Sequence, residues 1–194
     1  MLLEVECPPL DDVKDFFRST QSHRVRDMFL RFGWNREAAT LLTEICTYRG
    51  GLPQGAPTSP RLSNLVNVRL DTRLTAAAKK VAADYTRYAD DLTFSFVEDK
   101  PLDARQMIRI TKLVLEDFGY QLHTRKKLHI RRRHQQQLVT GLVVNESIRL
   151  PLRTRRWLRS VEHHEATNRA CTLTSVQLQG WRSFQTMVSK QSQT

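Results

Sequence analysis

The chain has 194 residues, 40% of them apolar and 26% charged, which allows one hydrophobic core plus a small second lobe and excludes wholesale disorder. No run approaches the ~20 apolar residues that span a bilayer, and the opening MLLEVECPPLDD lacks the basic start of a signal peptide. Cys7, Cys46 and Cys171 lie far apart without a CxxC pair, which suits a reducing compartment and argues against a zinc site or disulfide framework. A cytoplasmic protein without a membrane partner is therefore expected. Residues 1–100 carry 14 Lys+Arg and 14 Asp+Glu, whereas residues 101–194 carry 17 and 6, so the whole formal charge of +11 lies in the second half. Such asymmetry marks a polyanion-binding surface, with nucleic acid the obvious partner and a merely solvated basic face the plainer reading.

In chain order, the first ten residues, with Pro8 and Pro9, are poor material for a regular element. DDVKDFF reads as the end of a strand entering a turn. Val25, Met28, Phe29 and Phe32 fall at helical spacing before Gly33, and Asn35 is placed to cap a second helix through Ala38, Leu41, Leu42 and Ile45. TYRGGLPQGAPTSP is a loop rich in glycine and proline. One long helix is expected after it, from Thr58 or Ser59 through Leu62, Leu65, Val66, Leu70 and Leu74.

From Tyr85 to Phe96 the period changes to two, with Leu92, Phe94 and Phe96 on one face and Thr93 and Ser95 on the other, which predicts a hairpin turning near Ala89–Asp91. An amphipathic helix is expected over 102–118, short strands over 120–122, 128–130, 138–144 and 148–150, and terminal helices over 152–165 and 173–188. Irregular alternation of helices and mostly antiparallel strands makes the fold α+β.

Two acidic sites suggest chemistry. In YADD, Asp90 and Asp91 are adjacent at a hairpin tip, where mutual repulsion is costly unless a cation sits between them; alone, the motif is also compatible with an ordinary exposed turn. Asp12 supplies a carboxylate from a separate element, as nucleotidyl transfer by two metal ions about 3.5–4 Å apart requires. Oxygen-only ligands fit Mg²⁺ rather than zinc. Asp11 and Asp15 read as a charged helix N-terminus. Between the two sites, LPQGAPTSPRLSN is a glycine-proline loop feeding a helix, where backbone can approach a ligand closely.

The ordered set DVKDFF, LPQGAPTSP with LSN, TRYADDLTFS, a lysine in GYQLHTRKK, and VTGLVVN resembles bacterial reverse transcriptases, most closely the retron type, from about Leu10 to Val188. The resemblance implies an RNA-directed DNA polymerase: a palm of antiparallel sheet and packed helices over residues 1–150, then a small, mainly helical, basic thumb over 151–194. It implies two Mg²⁺ ions held by Asp12, Asp90 and Asp91, and Lys126 as the group that protonates or stabilises the leaving pyrophosphate, with Arg125 and Lys127 as neighbouring candidates. Phe17 would take the sugar-gate position that favours deoxynucleotides, with Phe16 a core residue. Gln54 and Gly55 would line the incoming nucleotide, and Thr140 and Gly141 would belong to the hairpin that holds the primer end. The basic clusters Arg125, Lys127, Arg131, Arg132 and Arg133, and Arg153, Arg155, Arg156 and Arg159, would track phosphates of an RNA template and its DNA or RNA primer. Trp157, Trp181 and Phe184 read as thumb core. By the same resemblance the substrates are deoxynucleoside triphosphates, the template is a dedicated structured non-coding RNA, and the biological role is defence against phage.

The sequence departs from that family in one respect. Its members carry a long fingers region ahead of the first acidic motif, and here about ten residues precede Asp12. The chain thus reads as a fragment, or as relying on fingers from elsewhere. The alternative is a non-catalytic RNA-binding module derived from such an enzyme.

Overall fold

The computed structural model describes residues 2–6, 15–121, 128–167 and 169–191. These fall into two compact units, Met1–Ile130 and Arg131–Thr194, and the mixture of helices with small antiparallel sheets is α+β as expected. Among the described residues, no helix is long and apolar enough to cross a membrane.

The first unit contains β1 (Leu2–Glu6), α1 (Asp15–Ser19), α2 (Ser22–Arg31), α3 (Arg36–Cys46), α4 (Ser59–Val66), α5 (Val68–Lys80), β2 (Ala83–Tyr88), β3 (Asp91–Phe96), α6 (Pro101–Asp117) and all but the last residue of β4 (Leu128–Arg131). Its sheet has the order β2-β3-β1-β4, with β3 antiparallel to both β2 and β1. Leu92, Phe94 and Phe96 of β3 are buried against Leu70, Leu74, Ala77 and Ala78 of α5 and Met107, Val114 and Leu115 of α6. That apolar layer, at about 1.5–3 kcal/mol for each fully buried large side chain, holds the sheet to its helices. A second cluster joins Val25 and Met28 of α2 to Leu52 and to Leu62 of α4, and Phe17 packs against both clusters. The predicted cap is present: the Asn35 side chain accepts from the Ala38 amide at 2.8 Å.

Three local expectations are corrected. Residues 2–6 do form a strand, because pairing with β3, from Leu2 opposite Ser95 to Glu6 opposite Asp91, supplies the backbone hydrogen bonds that composition alone did not suggest. The long helix after the loop is two helices. Asn67 breaks it at φ −94°, ψ 9°, fully buried, with its amide turned into a polar network. Its Oδ1 accepts from Arg24 Nη2 at 2.7 Å, and its Nδ2 donates to the Tyr120 hydroxyl at 2.9 Å. The Tyr120 and Thr20 hydroxyls lie 2.8 Å apart, and Arg24 Nη1 reaches the Phe118 carbonyl at 3.0 Å. The alternation of β3 holds, and Thr93, on the opposite face from Leu92 and Phe94, is buried as well. Lastly, Tyr120 and Gln121 lie outside the strands.

The second unit contains β5 (Leu138–Val139), β6 (Leu142–Val143), α7 (Leu152–Ala166) and α8 (Ser175–Gln191). The strand expected over 138–144 is a tight hairpin, because Thr140 (φ 47°) and Gly141 (φ 82°) are both left-handed, the pattern that reverses a chain in two residues. The strand expected over 148–150 reduces to a bridge between Val143 and Arg149. Leu150, Leu158, Val161 and Leu178 form the core here, with Leu142, Leu173 and Trp181 packed on it. Trp157 and Phe184 are more exposed than core residues, at 38% and 37%, and meet Trp181 edge-on.

Candidate active site

The YADD segment closes the β2–β3 hairpin. Tyr88 pairs with Asp91 across the strands, leaving Ala89 and Asp90 as the turn. Ala89 has φ 52°, a left-handed conformation that costs a residue with a Cβ roughly 1–2 kcal/mol. Asp90 and Asp91 are half-buried, while Tyr88 projects to solvent. The turn therefore presents two consecutive carboxylates at one end of the sheet.

What holds this strained turn was not anticipated from the sequence. Arg87, its side chain only 5% exposed, forms a two-pronged ion pair with Asp71 of α5: Nε to Oδ1 at 2.8 Å and Nη2 to Oδ2 at 2.7 Å. Its remaining nitrogen, Nη1, donates to the carbonyl of Ala89 at 3.0 Å. The Tyr85 hydroxyl donates to the same Asp71 Oδ1 at 2.9 Å, and Phe16 of α1 lies under the guanidinium with its ring centre 5.9 Å away. Burial works against a charged guanidinium, but the hydrogen bonds and charge of Asp71 outweigh it and hold the Arg87 pKa above its ordinary value. The Tyr85 phenol is pushed far above the usual tyrosine value, first by burial and then by the Asp71 carboxylate. A signal was present. Arg87 shares the inward face of β2 with Ala83 and Tyr85, and a charge on such a face needs a partner.

The glycine-proline loop is drawn onto α1. The Leu52 amide donates to the Phe17 and Thr20 carbonyls at 3.1 and 3.3 Å, and the Ser22 amide to the Gly50 carbonyl at 2.9 Å. Gly51 makes this approach possible, because a Cβ there would collide with the Arg18 carbonyl oxygen. At the other end, the Ser59 hydroxyl donates to the Pro53 carbonyl at 2.6 Å. Between these two anchors Gln54 and Gly55 are exposed, on the segment tied to the helix that carries Phe17. Phe17 itself is half-buried, edge-on to the buried Phe16. Asp15 begins α1, the position read from the sequence as a charged helix start.

Asp12, Arg125, Lys126 and Lys127 lie outside the described residues. Among those described, no group of three or more His, Cys, Asp or Glu side chains is gathered as a metal cage. Asp90 and Asp91 contribute carboxylate oxygens only, ligands of the kind that a hard divalent cation takes.

In the second unit, Arg132, Arg133, Arg153, Arg156 and Arg159 are exposed, and Thr140 and Gly141 are exposed at the hairpin turn. Arg155 and Arg159 do share a helical face, the Arg159 Nε reaching back to the Arg155 carbonyl at 3.4 Å, but Arg155 is half-buried, as is Arg131. Asn145, not singled out by the sequence, ties the basic loop to the hairpin. Its Oδ1 accepts from the Gln137 amide at 2.9 Å, and its Nδ2 donates to the Arg133 and Gln135 carbonyls at 3.1 and 2.7 Å.

No protein-family profile matches the chain. Individual proteins do. It is 34% identical over 188 residues to the retron Ec86 reverse transcriptase of Escherichia coli, covering 93% of this chain and 55% of that protein. It is 35% identical over 185 residues to the retron Mx162 reverse transcriptase of Myxococcus xanthus, covering 79% and 38%, and 32% identical over 197 residues to the retron Mx65 reverse transcriptase of the same organism, covering 92% and 45%. The chain spans about half the length, or less, of these relatives. With similarity running through most of its residues to three such proteins, the chain belongs to the retron-type bacterial reverse transcriptases.

Proposed function

We propose that this chain carries the polymerising centre of an RNA-directed DNA polymerase, which extends a primer 3′-hydroxyl on an RNA template. The observation that carries the reading is the Asp90–Asp91 pair on a braced hairpin turn, in a chain related to reverse transcriptases. The primer 3′-oxygen forms a bond to the α-phosphorus of a deoxynucleoside triphosphate as the bond to pyrophosphate breaks in line with it. Asp12, Asp90 and Asp91 are the residues that would hold two Mg²⁺ ions, which when bound favour the alkoxide and offset the triphosphate charge. Lys126 would protonate or neutralise the departing pyrophosphate.

The ring of Phe17 would crowd a 2′-hydroxyl, and the anchoring of Gln54 and Gly55 to its helix supports placing them on the same side of the nucleotide. Arg125, Lys127, Arg131, Arg132, Arg133, Arg153, Arg155, Arg156 and Arg159 would bind template–primer phosphates, with Thr140 and Gly141 at the primer end. A dedicated structured RNA as template, and defence against phage, are the partner and role this reading carries.

The test is primer extension on an RNA template with Mg²⁺, comparing wild type with Asp90→Asn. The variant is expected to lose more than about 100-fold in rate, as when a group that stabilises developing charge is removed. Equal incorporation by both proteins refutes the assignment. The concentration of net charge in residues 101–194 favours a second reading, a non-catalytic RNA-binding module. Salt-sensitive RNA binding without incorporation at saturating Mg²⁺ would establish that one instead.

A further inference from the structure

We propose that Arg87 is a positioning residue, which together with Asp71 sets the direction in which the Ala89–Asp90 turn presents its carboxylates to a divalent cation. The inference rests on the polymerase reading of that turn. Its basis is the division of the guanidinium between two tasks. Nε and Nη2 are committed to the two oxygens of Asp71, and Nη1 to the Ala89 carbonyl. Asp71 is itself fixed, since it lies in the first turn of α5 between the buried Leu70 and Leu74 and also accepts from Tyr85. A continuous path thus runs from a packed helix, through a buried ion pair, to the one carbonyl whose residue has a left-handed φ immediately before Asp90.

The chemistry requires arginine. Its planar fork offers donors in fixed directions, so it grips a carboxylate with one edge and a carbonyl with another nitrogen. A lysine offers a single nitrogen on a shorter reach, which cannot keep the two-pronged grip on both Asp71 oxygens while also holding the carbonyl in a fixed direction. Asp71 has a second effect. It neutralises a cation that would otherwise stand beside a metal-binding turn and repel the metal. Arg87→Lys and Asp71→Asn therefore disturb the turn from opposite ends of the same path.

The experiment uses the full chain. Mn²⁺ binding is followed by electron paramagnetic resonance, and primer extension is measured as a function of Mg²⁺ and of deoxynucleotide, for wild type, Arg87→Lys and Asp71→Asn, with circular dichroism as the check on folding. Both folded variants are expected to need at least about 10-fold more Mn²⁺ or Mg²⁺ and to lose kcat, with the KM for deoxynucleotide within about 3-fold of wild type, because Phe17 and the Gln54 loop are untouched. Wild-type metal dependence in both folded variants overturns the proposal. So does unfolding of both, which would make Arg87 a folding residue only. Mn²⁺ binding still decides the brace if the wild-type chain binds the ion without polymerising, whereas a wild type that does neither sinks the polymerase reading along with it.

Discussion

Asn67→Ala pits two effects of opposite sign against each other. Alanine favours a continuous helix through the α4–α5 junction by roughly 0.5 kcal/mol of propensity. Against this, the substitution removes the Oδ1 acceptor of Arg24, a charged hydrogen bond at 2.7 Å worth about 1.5–3 kcal/mol, and the Nδ2 donor to Tyr120 at 2.9 Å, worth about 1 kcal/mol. Arg24 keeps the Phe118 carbonyl and its place over the Phe118 and Tyr120 rings, and the Tyr120 hydroxyl keeps Thr20, so neither partner is stranded. The net expectation is a loss of about 3 kcal/mol, a large part of the stability of a typical domain. A chain of two compact units need not unfold in one step. Native-state hydrogen exchange of the α5 amides around Leu70 and Leu74 therefore reports on the first unit by itself. Those amides should exchange about 100-fold faster in the variant. Exchange slowed, or accelerated less than about 5-fold, would mean that the helix break is a passive feature and that the polar network contributes little.

Two further outcomes follow from the geometry. Gly51→Ala drives a methyl group into the Arg18 carbonyl, with the Arg18 carbonyl carbon and Cα also within 2.8 and 2.9 Å, so the loop must leave α1. The melting temperature should fall by several degrees, the size expected for more than about 2 kcal/mol, and an unchanged melting curve would contradict the close approach. Tyr85, whose folded pKa is raised above the ordinary 10.0, stays protonated in the native state while the unfolded chain ionises. The unfolded state then binds fewer protons, so stability is unaffected by this group below pH 10 and falls above it, by up to about 1.4 kcal/mol per pH unit. Urea midpoints at pH 8, 10 and 11 should show Tyr85→Phe less stable than wild type at pH 8 and the gap closing as pH rises; a constant gap contradicts the burial of that hydroxyl.

The elements carried by local periodicity were legible from the residues. Alternation over 85–96 gave the hairpin and its turn, spacings of three and four gave α2, α3 and α6, and Asn35 gave its cap. The features that were not legible depend on partners distant in the chain. Leu2–Glu6 becomes a strand through β3, some 90 residues later. Asn67 stops a helix whose apolar spacing continues straight through it, because Arg24 and Tyr120, one on each side of it in sequence, offer more than another helical turn. Thr140–Gly141 is the exception. Its turn chemistry is local, and the apolar residues on both sides disguised it as one strand. At the candidate site the carboxylates were read correctly as a turn, while the pair that restrains the turn, Arg87 with Asp71 sixteen residues earlier, was not.

These hidden links converge on one turn of helix. Asn67 caps α5, and the amide of Asp71 donates to the Asn67 carbonyl at 2.9 Å, so the two residues stand one turn apart on the same side. One side chain fastens the start of α5 to Arg24 and Tyr120; the other reaches Arg87 and, through it, the Ala89 carbonyl. The break at Asn67 fixes where α5 begins, and with it the direction in which Asp71 leaves the helix. A buried residue with no hydrogen bond of its own to Arg87 or Ala89 among those described therefore bears on how that turn is held, by way of a single helical turn with a defined start.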